Sequence, residues 1–281
     1  MHKLLKNVVT TSLFTLLFSS AFAASQEEPA PNPQGIQVVL VDPTPDPNVV
    51  ETKILFPKEG EIKKSSPIKG QIRLDGIALG VDTEDTPRRN EVWNDPEGQS
   101  LHIFIDNQPY FSVNEAFIDA LDDVENYFDQ RADFEIPFKL QPGMHVIRAF
   151  PVRSFNESIK SDQAFTASIF YYQTKKDSSN VDLSKPYLTY NEPQGEYDYD
   201  EKKNQPILLD FYLSNCNLSM DGYKIRLTID NEVQRNLTSW QPYYIYGLKK
   251  GMHRIRLELL DPQNKVVPGV FNDVQRTIVL K

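Results

Sequence analysis

The chain has 281 residues, with 30 Lys and Arg against 39 Asp and Glu and a net charge of -9. Such an acidic surface repels phosphates, which disfavours nucleic acid and anionic membranes as partners. Cys216 is the single cysteine, so no intrachain disulfide forms and the fold must rest on hydrophobic cores.

Residues 1–23 read as a secretory signal peptide. Lys3 and Lys6 precede an apolar stretch from Val8 to Phe18, and Ala21-Phe22-Ala23 gives an A-x-A cleavage pattern. The stretch is too short for a membrane anchor, and nothing later is long and apolar enough to span a bilayer. The expected destination is periplasmic or secreted. Residues 24–49 form a Pro-rich leader. Within it, Ile36 to Val41 has strand composition, but Pro43, Pro45 and Pro47 follow and argue that it stands apart.

Residues 50–173 alternate β-branched and aromatic runs with turn residues: TKILFP, PIKGQIRLDG, SLHIFIDNQPYF, DFEIPF, MHVIRAFPV and AFTASIFYY. Many short strands with frequent turn signals predict a β-sandwich. Residues 174–184 are polar, Ser-rich and followed by proline, as a linker is. The pattern restarts over 185–281 with PYLTY, PILLDFYL, YKIRLTIDN, PYYIYGL, MHRIRLELL and VQRTIVL. The two halves align. LHIFIDN (101–107) matches IRLTIDN (225–231), and PFKLQPGMHVIR (137–148) matches IYGLKKGMHRIR (245–256). The chain is a divergent tandem repeat. Repeat one carries extra residues around NEAFIDALDDVENYFDQ, where Phe117, Leu121 and Val124 recur near helical spacing and predict a short amphipathic helix or ordered loop.

The twice-repeated GMH raises the question of a functional histidine. Strand alternation puts His253 in phase with Ile255, Leu257 and Leu259, and His145 in phase with Ile147 and Ala149. Both histidines therefore point with the core, as structural hydrogen-bonding groups. The pattern L-x-x-G-M-H-x-I-x-L, followed by Asp261-Pro262, resembles the corner into the penultimate strand of bacterial immunoglobulin-like and fibronectin type III-like domains. That resemblance covers both repeats and implies an all-β fold of two tandem immunoglobulin-like β-sandwiches, the first with a long insertion. It further implies a Tyr or His bonding the preceding turn and names no subfamily or activity.

Assembled catalytic chemistry is missing from the sequence. There is no G-x-S-x-G elbow, no H-x-x-x-H or C-x-x-C spacing and no phosphate-cradling glycine loop. The expectation is no enzyme, no cofactor and no metal site. The acidic runs DTED, ALDDVEN and YDYDEK supply oxygens for calcium, but none follows the calcium-loop pattern, and solvated surface is the simpler reading. Two groups of binding candidates remain. Arg148, Arg153, Glu157 and Lys160 make a charged group around RAFPVRSFNESIK, either a patch or a salt-bridged structural loop. Trp93, Trp240 and Tyr244 are candidates for stacking on a sugar. The expected function is an exported, non-enzymatic binding or scaffolding protein of the cell envelope, acting through contacts with an envelope or extracellular protein. A carbohydrate-binding module protein with a glycan partner is the first alternative. A hydrolase whose site is built by the first-repeat insertions is the second.

Overall fold

Runs that alternate branched or aromatic residues with polar ones fold as strands, because successive side chains project from opposite faces. A computed structural model describes residues 35–281 apart from 48, 85, 119–128 and 177–180. The signal segment, the start of the leader, and Leu121 and Val124 of the predicted helix lie outside the described residues. In chain order the strands of the first half are β1 (Gln37–Leu40), β2 (Glu51–Phe56), β3 (Ile62–Lys63), β4 (Lys69–Asp75), β5 (Ser100–Ile105), β6 (Phe111–Val113), β7 (Phe117–Ile118), β8 (Gln130–Glu135), β9 (Gly143–Val152) and β10 (Thr166–Tyr172). The second half holds β11 (Tyr187–Glu192), β12 (Gly195–Tyr197), β13 (Ile207–Ser214), β14 (Lys224–Ile229), β15 (Val233–Leu237), β16 (Tyr243–Tyr246), β17 (Gly251–Leu260) and β18 (Asp273–Leu280). Helix is confined to single 3-10 turns at Pro87–Asn90, Asp162–Ala164 and Glu201–Lys203 among the described residues.

Four sheets result. The sheet β2-β4-β8-β7 faces β3-β10-β9-β5-β6, and Ile72, Leu74 and Ala132 meet Leu101, Ile103, Ile147 and Phe170 in one core. The sheet β1-β16-β13-β11 faces β12-β18-β17-β14-β15, where Leu209, Phe211 and Ile245 meet Ile225, Leu257 and Ile278. The architecture is all-β and of immunoglobulin-like sandwich type.

The sheet orders correspond strand for strand. β5 and β14 hold equivalent places beside β9 and β17, and β3 and β12 each join their sheet by a parallel pairing. In the other sheets β4 matches β13 and β8 matches β16, which leaves β7 opposite β1. β7 begins the very segment that the second repeat lacks. The second sandwich fills the vacant edge from the leader: Gln37, Val38, Val39 and Leu40 pair antiparallel with Tyr246, Ile245, Tyr244 and Tyr243. The strand expected to stand apart is thus an edge strand. The prolines come only after its last paired residue, where they remove no ladder donor.

The two pairs of facing sheets also meet each other. β5 is buried along both faces: Leu101, Ile103 and Ile105 enter the core, while His102 and Phe104 point away from it. β13 divides likewise, with Leu209, Phe211 and Leu213 inward and Leu208, Asp210 and Tyr212 outward. The two outward faces lie against each other. Phe104, Phe150, Val152 and Tyr212 form one shared cluster, and Val146, Tyr187 and Phe271 another. Ring centroids fall 5.2 Å apart for Phe150 and Tyr212 and 4.7 Å for Phe165 and Tyr212, within the range of favourable offset stacking. The four sheets stack in four layers, with a mixed aromatic and polar junction in the middle.

Candidate functional site

The repeated histidines belong to a device that occurs twice. His145 Nδ1 lies 2.7 Å from Asp106 Oδ2 and its Nε2 lies 2.7 Å from the Gln141 carbonyl. The second oxygen of Asp106 accepts the Val146 amide at 2.9 Å. His253 repeats this with Asp230 at 2.6 Å and the Lys249 carbonyl at 2.7 Å, and the Arg254 amide donates to Asp230 at 2.7 Å. The I-D-N and G-M-H landmarks are therefore two halves of one clamp. Each aspartate sits at positive φ, 51° for Asp106 and 52° for Asp230, a conformation that Asp tolerates better than most residues. With acceptors at both ring nitrogens, His145 favours its doubly protonated form. Burial opposes that charge, but the Asp106 hydrogen bond, the Gln141 carbonyl and the Asp106 charge together outweigh it and raise the pKa above the ordinary value. Stability from this charged clamp is fully present below about pH 6.5 and fades as pH rises through the raised value. Replacing His253 by alanine removes its bonds to the Lys249 carbonyl and one Asp230 oxygen, both within reach of water. It should lower the unfolding free energy by about 1 kcal/mol, read from urea denaturation, and a loss near zero would show the clamp to be idle.

The charged quartet does not form a surface patch. Arg148, Arg153 and Glu157 are buried, at 2%, 3% and 1% exposure, because a second sheet and the leader cover the face that alternation marks as outward. Arg148 lies 3.9 Å from the Phe271 ring centroid and donates to the Leu188 carbonyl at 3.1 Å and Thr189 Oγ1 at 2.9 Å. Burial pushes its pKa down to about 9. Arg153 donates to the Thr44 and Pro45 carbonyls at 2.9 and 2.7 Å and to Asp46 at 3.1 Å. Glu157 accepts Arg88 Nη1 at 2.5 Å and both the amide and hydroxyl of Thr44 at 2.9 Å. Lys160 donates to Asp210 at 2.5 Å. These residues strap the leader across both sandwiches. The salt-bridged structural reading is the one the geometry supports.

The aromatic trio separates. Tyr244 is 3% exposed and its hydroxyl donates to Glu91 at 2.7 Å. Trp240 is half-buried, donates Nε1 to the Phe211 carbonyl at 3.0 Å and packs edge-on against Tyr212. Trp93 is 37% exposed. It lines a recess at the junction, whereas Trp240 borders a separate, open hollow beside Tyr212 and Cys216.

That recess, of about 110 Å³, opens at the junction between Trp93, Tyr110, Tyr197 and Glu192. Glu192 ends β11 beside a register shift after Tyr190 and is 2% exposed. Its carboxylate accepts the hydroxyls of Tyr110, from the first sandwich, and Tyr197, from the second, together with the Gln194 amide at 3.2 Å. Burial, opposed by those hydrogen bonds, leaves its pKa raised to about 7. Behind Tyr110, His102 stacks at 3.5 Å between ring centroids. Asn191 donates its amide to the Asn156 carbonyl and to Asp210, so its oxygen must accept from Nδ1 of His102, at 2.7 Å. Burial depresses the His102 pKa to about 3 and keeps that ring neutral. Among the described residues no group of three or more His, Cys, Asp or Glu side chains converges to hold a metal ion.

No protein-family model matches the chain, and no curated protein matches it. Solved structures similar to it are fibronectin type III-like and immunoglobulin-like domains. They include fibronectin(III)-like modules of Clostridium thermocellum CbhA, at 13% identity and TM-score 0.27, covering 82% of this chain and 94% of that one. Chicken VE-cadherin EC1-2 matches at 8% identity and TM-score 0.22, over 79% of this chain and 98% of its own. The D00-D0 domain of intimin matches at 8% and 0.23, over 83% and 100%. Overlaps so loose carry no argument, and the sandwich architecture rests on the strand order and cores described above.

Proposed function

We propose that the chain is an exported, non-enzymatic binding or scaffolding protein of the cell envelope, built from two immunoglobulin-like sandwiches over residues 50–173 and 185–281. The observation that carries this reading is the junction. The Lys160–Asp210 ion pair, side-chain hydrogen bonds to backbone carbonyls and stacked rings join the two sandwiches, which suits a rigid body that presents fixed surfaces to a protein partner. The glycan alternative loses ground at Tyr244, whose ring is buried at 3% exposure. The test uses the intact chain as bait in an envelope extract, with photo-crosslinkers placed at exposed Met220 and Met252, which are 79% and 67% exposed. A partner crosslinked from one face and competed by unlabelled chain supports the proposal. Failure to retain any protein above a bead control sinks it.

A further inference from the structure

Buried carboxylates in this protein follow a rule. Asp75 is paired with Arg73 at 2.9 Å, Glu157 with Arg88 at 2.5 Å, Asp210 with Lys160 at 2.5 Å and Glu258 with Arg226 at 2.7 Å. Glu192 breaks it. It is as deeply buried as the others, at 2% exposure, yet among the described residues no Lys, Arg or His forms an ion pair with it. Its hydrogen-bond partners are two phenols and a backbone amide, all neutral. A buried carboxylate without a counter-ion is costly, and this one borders a recess rather than solid core.

The walls of that recess say what sort of cation it takes. Trp93 and Tyr197 stand perpendicular, with interplanar angle 90° and centroids 6.4 Å apart, and Tyr110 completes a third side. Aromatic rings lining a recess that ends on a carboxylate offer quadrupole attraction and one full negative charge. Asp95 lies at the rim and adds a second negative charge, whereas the nearby Glu196 is taken by Lys281. A hard metal ion demands several oxygen ligands. A compact organic cation needs the aromatic walls that are present, and about 110 Å³ suits a group of that size.

We infer that Trp93, Tyr110 and Tyr197 form an aromatic cage over Glu192 that binds an organic ammonium group. The ammonium takes the place that Arg88 or Lys160 holds at the other buried carboxylates. The same chemistry is offered by a small free solute and by a lysine side chain of a partner, and the two are separated by experiment. Calorimetric titration of the intact chain, at about pH 8 so that Glu192 is ionised, uses choline and tetramethylammonium as free probes. N-acetyl-lysine amide and its trimethylated form are the side-chain probes. Saturable binding of an ammonium probe is expected, with 3,3-dimethyl-1-butanol, the neutral carbon analogue of choline, at least roughly tenfold weaker. Trp93→Ala, an exposed position that leaves the core intact, and Glu192→Gln should each weaken binding by roughly tenfold or more. Tighter binding of choline assigns the cage to a solute, and tighter binding of the lysine probes assigns it to a partner side chain. Equal binding of the neutral analogue overturns the inference. So does binding that either variant leaves unchanged, and so does the lack of saturable binding by any probe.

Discussion

Substituting alanine for Glu157 is expected to lower the unfolding free energy by about 3–5 kcal/mol, the usual result of removing one partner from a buried ion pair. Glu157 is 1% exposed, and its carboxylate meets Arg88 and the Thr44 amide and hydroxyl. Its loss leaves the Arg88 guanidinium buried without a carboxylate, although Arg153 keeps Asp46. The damage should also spread along the chain, because Thr44 lies just past β1. Limited proteolysis around residues 41–47 should accelerate in Glu157→Ala, and Glu157→Gln, which keeps the shape and one acceptor, should recover part of the loss. A urea-denaturation change below about 1 kcal/mol would show that the strap contributes little.

Replacing Glu192 by glutamine should have the opposite sign. The folded pKa of about 7 lies above the ordinary glutamate value of 4.5. For an acid raised in this way, stability is fully present below pH 4.5 and is lost as pH rises through 7. The neutral variant avoids that loss. It should gain about 2–3 kcal/mol over the parent above pH 7, and the difference should vanish near pH 4.5. Across that window His102 stays neutral and the phenols of Tyr110 and Tyr197, held well above 10, stay protonated. Urea midpoints measured over the range decide the matter, and a pH-independent difference would remove Glu192 as the source. A variant that is more stable yet binds no ammonium would be the usual trade between stability and a working site.

Much of the sheet structure was legible because alternation is a strong signal wherever one strand face is apolar. Ile147 and Ala149 mark the inner face of β9, and His145 falls in phase with them. The I-D-N and G-M-H landmarks were visible, but not the bond between them, since Asp106 and His145 are 39 positions apart and spacing carries no contact. The junction was hidden for a different reason. Arg148, Glu157 and Asp210 look like solvated residues, and alternation does not distinguish a face in water from one covered by matching polar groups. Glu192 gave no signal at all. In YNEPQ it reads as the polar end of a strand, and only the fold brings Trp93 and Tyr110 to it. The first-repeat insertion was visible by length, whereas its role as the source of an edge strand was not.

The placement of β1 sets an order of events during synthesis. Its partner, β16, lies about 200 residues downstream, so a ribosome adding roughly 5–20 residues per second makes that partner some 10–40 seconds later. Throughout that interval Val38, Val39 and Leu40 lack that ladder, while β2 to β10 are made and can pair among themselves once Tyr172 has been added. β1 is made long before it can find its place. A nascent chain of this protein therefore carries a sticky unpaired strand, and holding that strand apart from other copies is a task for the cell until β16 emerges.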